Sequence, residues 1–512
     1  MTRRMREFLK NACCLSLSAL VMRTVAVSYH AYLAESIGAE GMGLFSLVNS
    51  LYGFAVTFAT SGIQLAVVRL VSETLGKGEP GATRAALRRA VLYALAFSGV
   101  GTAVLFFGAD FFGQVVLHDA RTVLSVRILA FSLIPVALCT VMSGYFTAVR
   151  RVLGCSLTQM GEQGLRIFLT GWMLGLCLPR GMTYTCAAVV GGAAIAQIAS
   201  CLCLGVQYLV DRRRHVRGVG GDAAGLTPRL LHIALPVAFS AYIRSGLLTV
   251  EHLLIPRALT RGGRSPEEAL SSYGVLDGMA LPVVLYPMAV LSSFAGLLVP
   301  VLAEHRARGE RKHIDRITSR ALHLTTVFAI GCTATLAAFS RALGLALFHS
   351  EEAGHLILLL SPVVPLMFLD HVTDAALKGL GEQVWTMWVN IGDSLISILL
   401  VILILPSQGA VGYIWVIEIA EALNFAASLL RLVRVAHLRY SLLSSWFFPV
   451  AAALLGVFGV RRLLPIDQNT VTIPWLIAQM VFVFALYLGL LALISILRRL
   501  RRTSPDPTLD IL

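Results

Sequence analysis

The chain has 512 residues, of which 57% are hydrophobic and only 14% charged, and its mean hydropathy is +0.78. A soluble domain carries about 25% charged residues, so this composition excludes a string of soluble domains and points to lipid as the solvent. The formal net charge of +14 is no nucleic-acid signature, because the basic residues sit in short breaks between apolar runs, where they set membrane topology.

About twenty largely apolar residues cross a bilayer. In chain order such segments fall at 11–33, 43–70, 90–114, 122–146, 152–177, 183–209, 230–256, 272–301, 319–347, 354–377, 384–405, 409–434, 444–464 and 472–497. The spacing therefore predicts an all-α polytopic membrane protein of about fourteen transmembrane helices. The start, Met1-Thr-Arg-Arg-Met-Arg6 and an apolar run, looks like a signal peptide. The run is too long, however, and Arg23 and His30 precede any small-residue cleavage site, so it reads as a retained first span. Gly76-Lys-Gly-Glu-Pro80, Pro179-Arg-Gly181 and Pro406-Ser-Gln-Gly409 supply turn chemistry between spans.

With the N-terminus inside, about 29 Lys and Arg fall in cytoplasmic segments and about 9 outside. The inside clusters are Arg212 to Arg214, the stretch Arg306 to Arg320, and Arg498 to Arg502. Both termini are then cytoplasmic. Arg257, Arg261 and Arg264 run against the rule, as do Arg461 and Arg462. Nine cysteines (Cys13, Cys14, Cys139, Cys155, Cys177, Cys186, Cys201, Cys203 and Cys332) form no Cys-x-x-Cys pair. They indicate neither a zinc site nor a disulfide framework and read as small packing residues.

The chain repeats itself at an offset of 231 residues. Glu73 to Glu79 matches Glu304 to Glu310, and Gly43 pairs with Gly274, Gly113 with Gly344, His118 with His349 and Glu162 with Asp393. The first spans of the two halves align at an offset of 221, pairing Arg23 with Arg244, with an insertion around 257–268. This divides the chain into an N-lobe at 1–210, a basic cytoplasmic linker at 211–229, a C-lobe at 230–440, two added spans at 441–497 and a cytoplasmic tail at 498–512. Six spans per repeat give both lobes the same orientation, with substrate expected between them near the midplane. That is a transporter's architecture rather than an enzyme's, and no P-loop, metal-binding or dinucleotide fingerprint stands in a suitable context.

A charge at the bilayer centre costs about 2.5–3.5 kcal/mol, so four intramembrane arginines ask for an explanation. Arg23 and Arg244 lie about 22 Å along their helices from the cytoplasmic starts, at 1.5 Å per residue. A guanidinium there is a bidentate partner for phosphate; bonding to backbone carbonyls is the structural alternative. Arg166 and Arg69 are further candidate substrate-binding arginines. Arg166, however, follows Glu162 by four residues, the favourable order for an ion pair, and Arg69 is close enough to the cytoplasmic end of its span to snorkel.

Acids form a second group. Asp370 and Asp374 are one turn apart, and Glu418 and Glu421 share a helix face. Like charges this close in low dielectric take up a proton or a bridging cation, which would suit coupling to H+ or Na+. Glu162, Glu251, Asp277 and Asp393 add single acids; pairing with arginine is their structural alternative. Prolines inside spans (Pro135, Pro236, Pro282, Pro287, Pro300 and Pro365) mark kinks.

The run Ile37-Gly-Ala-Glu-Gly-Met-Gly-Leu-Phe45 followed by Ser61-Gly-Ile-Gln-Leu-Ala-Val-Val-Arg-Leu-Val-Ser72 resembles the opening spans of the stage V sporulation protein B group. That group lies in the polysaccharide branch of the multidrug/oligosaccharidyl-lipid/polysaccharide flippase superfamily. Ser143 to Ala148, Gln159 to Arg166 and Leu235-Pro-Val237 are similar to its patterns, over about residues 8–440. The insertion at 257–268 and the acids of the tenth span depart from them. The resemblance implies two six-helix lobes in a V shape plus two C-terminal helices, in the bacterial cytoplasmic membrane. It also implies flipping of an undecaprenyl-linked anionic oligosaccharide or lipid II-like precursor for envelope or spore-cortex assembly, with no cofactor. Arg23 and Arg244 are the positions that match its diphosphate-binding arginines. A multidrug or cation antiporter, with the acids primary, and a non-transporting membrane scaffold are the alternative readings. Partner proteins are not readable, and no nucleic-acid partner is expected.

Overall fold

A computed structural model describes residues 3–77, 79–149, 151–215, 225–436, 442–463 and 473–503. Residues 216–224 of the expected basic linker and the tail beyond 503 lie outside them, as do the side chains of Cys13, Cys14, Arg212 to Arg214, Arg461, Arg462 and Arg498 to Arg502. Every regular element among the described residues is helical. In lipid no water satisfies a free N–H or C=O, so apolar segments close their own backbone bonds as helices.

The main helices are α1 (Arg3–Thr60), α2 (Ile63–Gly76), α3 (Pro80–Phe107), α4 (Val123–Ala148), α5 (Val152–Cys177) and α6 (Met182–His215). They continue with α7 (Leu226–Arg261), α8 (Pro266–Tyr273), α9 (Met288–Ala307), α10 (Arg311–Phe348) and α11 (Glu351–Leu360). The last are α12 (Val364–Gly379), α13 (Gln383–Ala436), α14 (Leu442–Leu463) and α15 (Ile473–Thr503). Ten helical stretches among the described residues are long and apolar enough to cross a membrane, so this is a multi-pass membrane protein. The two longest helices are broken inside, α1 at Gly38 (φ 69°, ψ 179°) and α13 at Gly409 (φ 65°, ψ −147°). Only glycine enters these regions cheaply. Both breaks fall where the sequence expects one span to end and the next to begin. A further break, at Ser61 and Gly62 between α1 and α2, interrupts a segment expected to run unbroken over 43–70.

The chain forms two compact units. Unit 1 holds Met1–Glu35, Val275–Ser397 and Ser407–Leu512; unit 2 holds Ser36–Gly274 and Ile398–Pro406. These do not coincide with the sequence lobes at 1–210 and 230–440. The physical reason is that each repeat's first span packs on the other repeat's second span. In unit 1, Thr24 of α1 meets the Tyr286 hydroxyl at 2.9 Å. In unit 2, Ser245 of α7 donates to Thr57 at 3.2 Å, and Thr249 to the Ser50 carbonyl at 3.2 Å.

The repeat itself is visible as geometry. His118 (φ 54°) and His349 (φ 51°), 231 residues apart, are the non-glycine residues with left-handed backbones among those described. The turns after them match too: Asp119 N–H donates to Gly113 C=O (2.9 Å), and Ser350 N–H to Gly344 C=O (3.2 Å). So do the turns at Glu79 and Glu310, whose N–H groups donate to the carbonyls of Thr74 and His305, each at 3.0 Å. Gly43 and Gly274 face each other's repeats at one crossing in unit 2. A Cβ on Gly43 would crowd the Leu270 carbonyl, and one on Gly274 the Ala39 carbonyl. Ala39 and Leu270 are themselves 231 apart, so the crossing has local two-fold symmetry.

The loop that defies the charge rule has a structural use. Arg257 donates to the carbonyls of Val115 (3.1 Å) and Val116 (2.5 Å), and Arg264 to the Ser272 hydroxyl (2.7 Å). Helix α8 then starts with a capping box, in which Ser265 and Glu268 exchange backbone-to-side-chain bonds ahead of Pro266. In unit 1, α15 docks by laying Phe484 and Tyr487 on Gly331 of α10, with the Tyr487 hydroxyl on the Val327 carbonyl (2.7 Å).

Candidate functional site

Helix α12 buries Asp370 and Asp374 one turn apart in unit 1, each only 8% exposed. Helix α13 supplies Asn390 and Asp393 from its first arm and Glu421 and Asn424 from its second. Asn424 donates its amide to Oδ2 of Asp370 (3.1 Å), and Asn390 to Oδ2 of Asp374 (3.3 Å). Lys378, one turn along α12, reaches Asp374 at 3.4 Å. Asp370 lies in the repulsive field of Asp374 and Asp393, and Glu421 in that of all three aspartates. Oδ1 of Asp370, Oδ1 of Asn424 and the Thr373 hydroxyl are buried with no hydrogen-bond partner.

Four of the expected acids, Asp370, Asp374, Asp393 and Glu421, thus gather. Against four carboxylates this group sets Lys378, with the half-buried His371 beside Asp374 and Lys378. Like charges in low dielectric are relieved by a proton or a cation. Among the described residues no three acidic, histidine or cysteine side chains converge closely enough to hold a metal ion. The carboxylates are neighbours without forming a ready-made cage. The other acids stand apart from this group. Glu162 pairs with Arg166 on α5 at 3.1 Å in unit 2. Glu251 is buried on α7, also in unit 2. Asp277 lies in a π-helical turn beside His30, whose Nδ1 meets the Gly278 carbonyl at 3.0 Å.

The four arginines sort by partner. Arg166 takes its helical ion pair. Arg69 is largely exposed and pairs with Glu73 (3.2 Å), which also binds Arg229 of α7. Arg23 on α1 is half-buried, with its Nε enclosed and without a hydrogen-bond partner. Arg244 on α7 is exposed. Among the described residues neither Arg23 nor Arg244 forms an ion pair, while Glu162 takes Arg166 as its partner. Sequence reasoning missed Asn390 and Asn424, although their signal was present: polar residues three from Asp393 and Glu421 in otherwise apolar helices.

The family model for polysaccharide biosynthesis protein matches residues 8–306. The chain is similar to stage V sporulation protein B of Bacillus subtilis (strain 168), 23% identical over 413 residues, 80% of each chain. It is also similar to the lipid II flippase MurJ of the same organism, 21% identical over 449 residues, 83% of this chain and 81% of that one. Among solved structures, lipid II flippase MurJ in an inward closed conformation superposes with a TM-score of 0.72 at 12% identity, covering 94% of this chain and 98% of that one. An inward-facing multidrug resistance MATE family transporter of the MOP superfamily superposes at 0.66, also at 12% identity, covering 82% and 98%. The fold is therefore that of these transporters. With its family model spanning more than half of its length, the chain belongs to the polysaccharide biosynthesis protein family.

Proposed function

We propose that this protein is a flippase of the bacterial cytoplasmic membrane. It carries an undecaprenyl-linked oligosaccharide or lipid II-like precursor by alternating access, for envelope or spore-cortex assembly. The chain has fourteen spans with both termini cytoplasmic, and the two lobes are its moving parts. The observation that carries the reading is a repeat-related pair of arginines, Arg23 and Arg244, in apolar helices and without an ion pair among the described residues. Each costs about 2.5–3.5 kcal/mol if it faces lipid, and a diphosphate offers its planar fork two oxygens at once. The family and its named relatives support the same substrate class. Arg166 and Arg69, already paired, hold lesser roles. The acids around Asp370 couple transport to H+ or Na+ by taking one up when the site is otherwise over-negative.

The test is flipping of purified lipid-linked precursors by reconstituted protein. The expected order is wild type, then Arg→Lys, then Arg→Ala, with Arg→Glu lowest, for Arg23 and Arg244 alike. A hydrogen bond to a charged group is worth about 1.5–3 kcal/mol, so Arg→Ala should weaken cargo binding by roughly 10- to 100-fold. Normal flipping by both well-folded alanine proteins overturns the reading. A cation antiporter is the second reading, favoured by the acidic group and the MATE-like fold. It gains if cation-driven efflux persists in those same proteins.

A further inference from the structure

The residue after each of the two arginines is a hydroxyl, and each hydroxyl is spoken for. Thr24 donates to the Leu20 carbonyl one turn back (2.9 Å), so the 2.9 Å contact with Tyr286 has the tyrosine O–H as donor. Ser245 donates to the Thr57 hydroxyl (3.2 Å), which in turn donates to the Gly53 carbonyl (2.9 Å). Thr24 and Ser245 are 221 residues apart, the offset that relates Arg23 to Arg244. The device therefore occurs twice, once in each unit, at corresponding places.

Both partners sit at helix breaks. Tyr286 lies in the turn between Val284 and Met288, where N–H groups reach back only three residues, as in Tyr286 to Val283 and Met288 to Leu285, each 3.1 Å. Thr57 lies in the last turn of α1, just before the left-handed Gly62 (φ 76°). The last four carbonyls of a helix lack intrahelical partners. One of these, on Phe58, accepts the Tyr242 hydroxyl at 3.0 Å, two residues before Arg244. A break is a point where a neighbouring helix cannot slide by one turn and find the same partners again. Consecutive helical residues point about 100° apart at 3.6 residues per turn. Holding Ser245 on Thr57 therefore turns Arg244 away from that contact, consistent with its exposure.

We infer that Thr24 with Tyr286, and Ser245 and Tyr242 with Thr57 and Phe58, are positioning residues. They fix the depth and rotation of Arg23 and Arg244 along their helices. This rests on the proposed role of the arginines in binding an anionic lipid head group.

The experiment measures binding of undecaprenyl diphosphate, with undecaprenol as the uncharged control, to the full-length protein in detergent. Thr24→Val, Tyr286→Phe, Ser245→Ala and Tyr242→Phe should each weaken diphosphate binding several-fold and leave undecaprenol unchanged. Thr24→Ser and Ser245→Thr keep the hydroxyl and should restore wild-type affinity. In an Arg23→Ala background Thr24→Val should have no further effect, and likewise Ser245→Ala with Arg244→Ala. Equal losses in those backgrounds would mean a merely structural role and overturn the inference. Wild-type affinity in the hydroxyl variants, with weakened Arg→Ala proteins, would overturn it while leaving the cargo reading intact. Undiminished binding by the Arg→Ala proteins would remove both.

Discussion

The crossing of Gly43 and Gly274 gives a sharp steric test of the repeat. A Cβ on Gly43 would lie 2.9 Å from Leu270 Cγ and 3.0 Å from the Leu270 carbonyl carbon; one on Gly274 would lie 3.1 Å from the Ala39 carbonyl carbon. Carbon atoms prefer about 3.5–4.0 Å, and the Leu270 and Ala39 carbonyl oxygens lie closer still, so the helices must separate by about 1 Å or more. Two effects oppose each other. Alanine raises helix propensity by about 1 kcal/mol over glycine, while overpacking costs about 1–3 kcal/mol. The obstacle here includes backbone, which cannot rotate aside, so overpacking should win by about 1–2 kcal/mol. Thermal melting of purified Gly43→Ala and Gly274→Ala should therefore show similar losses. Gly99→Ala and Gly164→Ala, where nothing lies within 4 Å of the added atom, should melt at or above wild type. The double substitution at the crossing should cost less than the sum, because the first displacement makes room for the second. Gly43→Ala and Gly274→Ala proteins as stable as the controls would refute the close crossing.

Asp370→Asn and Glu421→Gln should each change the proton or sodium dependence of transport, measured in proteoliposomes with imposed gradients. Unaltered dependence in both would remove the acidic group from coupling. Single cysteines in a background lacking the native ones should label from the cytoplasm at 211–218 and from outside at 257–268. Outside labelling of 211–218 would break the proposed topology.

The helical fold was legible because a polytopic chain writes each span as an apolar run, and the repeat because turns impose residue types. Glu79 and Glu310 start helices in the same way, and His118 and His349 close matching turns. The break at Gly62 was not legible: a single glycine in an apolar run reads as tolerated in a membrane helix, and only its positive φ betrays the interruption. The exchange of first spans was also hidden. Sequence offsets relate residues by descent and say nothing about which copy of a neighbouring helix is touched. Asp370 with Asp374 was readable from one-turn spacing on one helix. Asp393 was seen singly and Glu421 beside Glu418, since their approach to Asp370 depends on how the two arms of α13 pack on α12.

The arginines divide by what satisfies them, which separates structural from functional use more firmly than depth does. Arg257 spends its donors on backbone carbonyls, and Arg166 one on Glu162, although its Nε, like that of Arg23, is buried without a hydrogen-bond partner. Arg151 meets the buried Asp211 at 2.5 Å, and Arg121 meets both Asp119 (2.6 Å) and Glu40 (2.8 Å). Removing any of these would strand a buried acid or carbonyls, so their retention follows from folding alone. Among the described residues, removing Arg23 or Arg244 strands no ion-pair partner. Together they would cost about 5–7 kcal/mol facing lipid, comparable with the whole net stability of a small domain, about 5–15 kcal/mol. Among the described residues no acid or carbonyl requires them, and hydrating water relieves the charge without requiring arginine. On the proposed function, a planar fork held at a fixed depth by hydroxyls at helix breaks would be matched by a ligand with paired anionic oxygens, which is the chemistry of a lipid diphosphate.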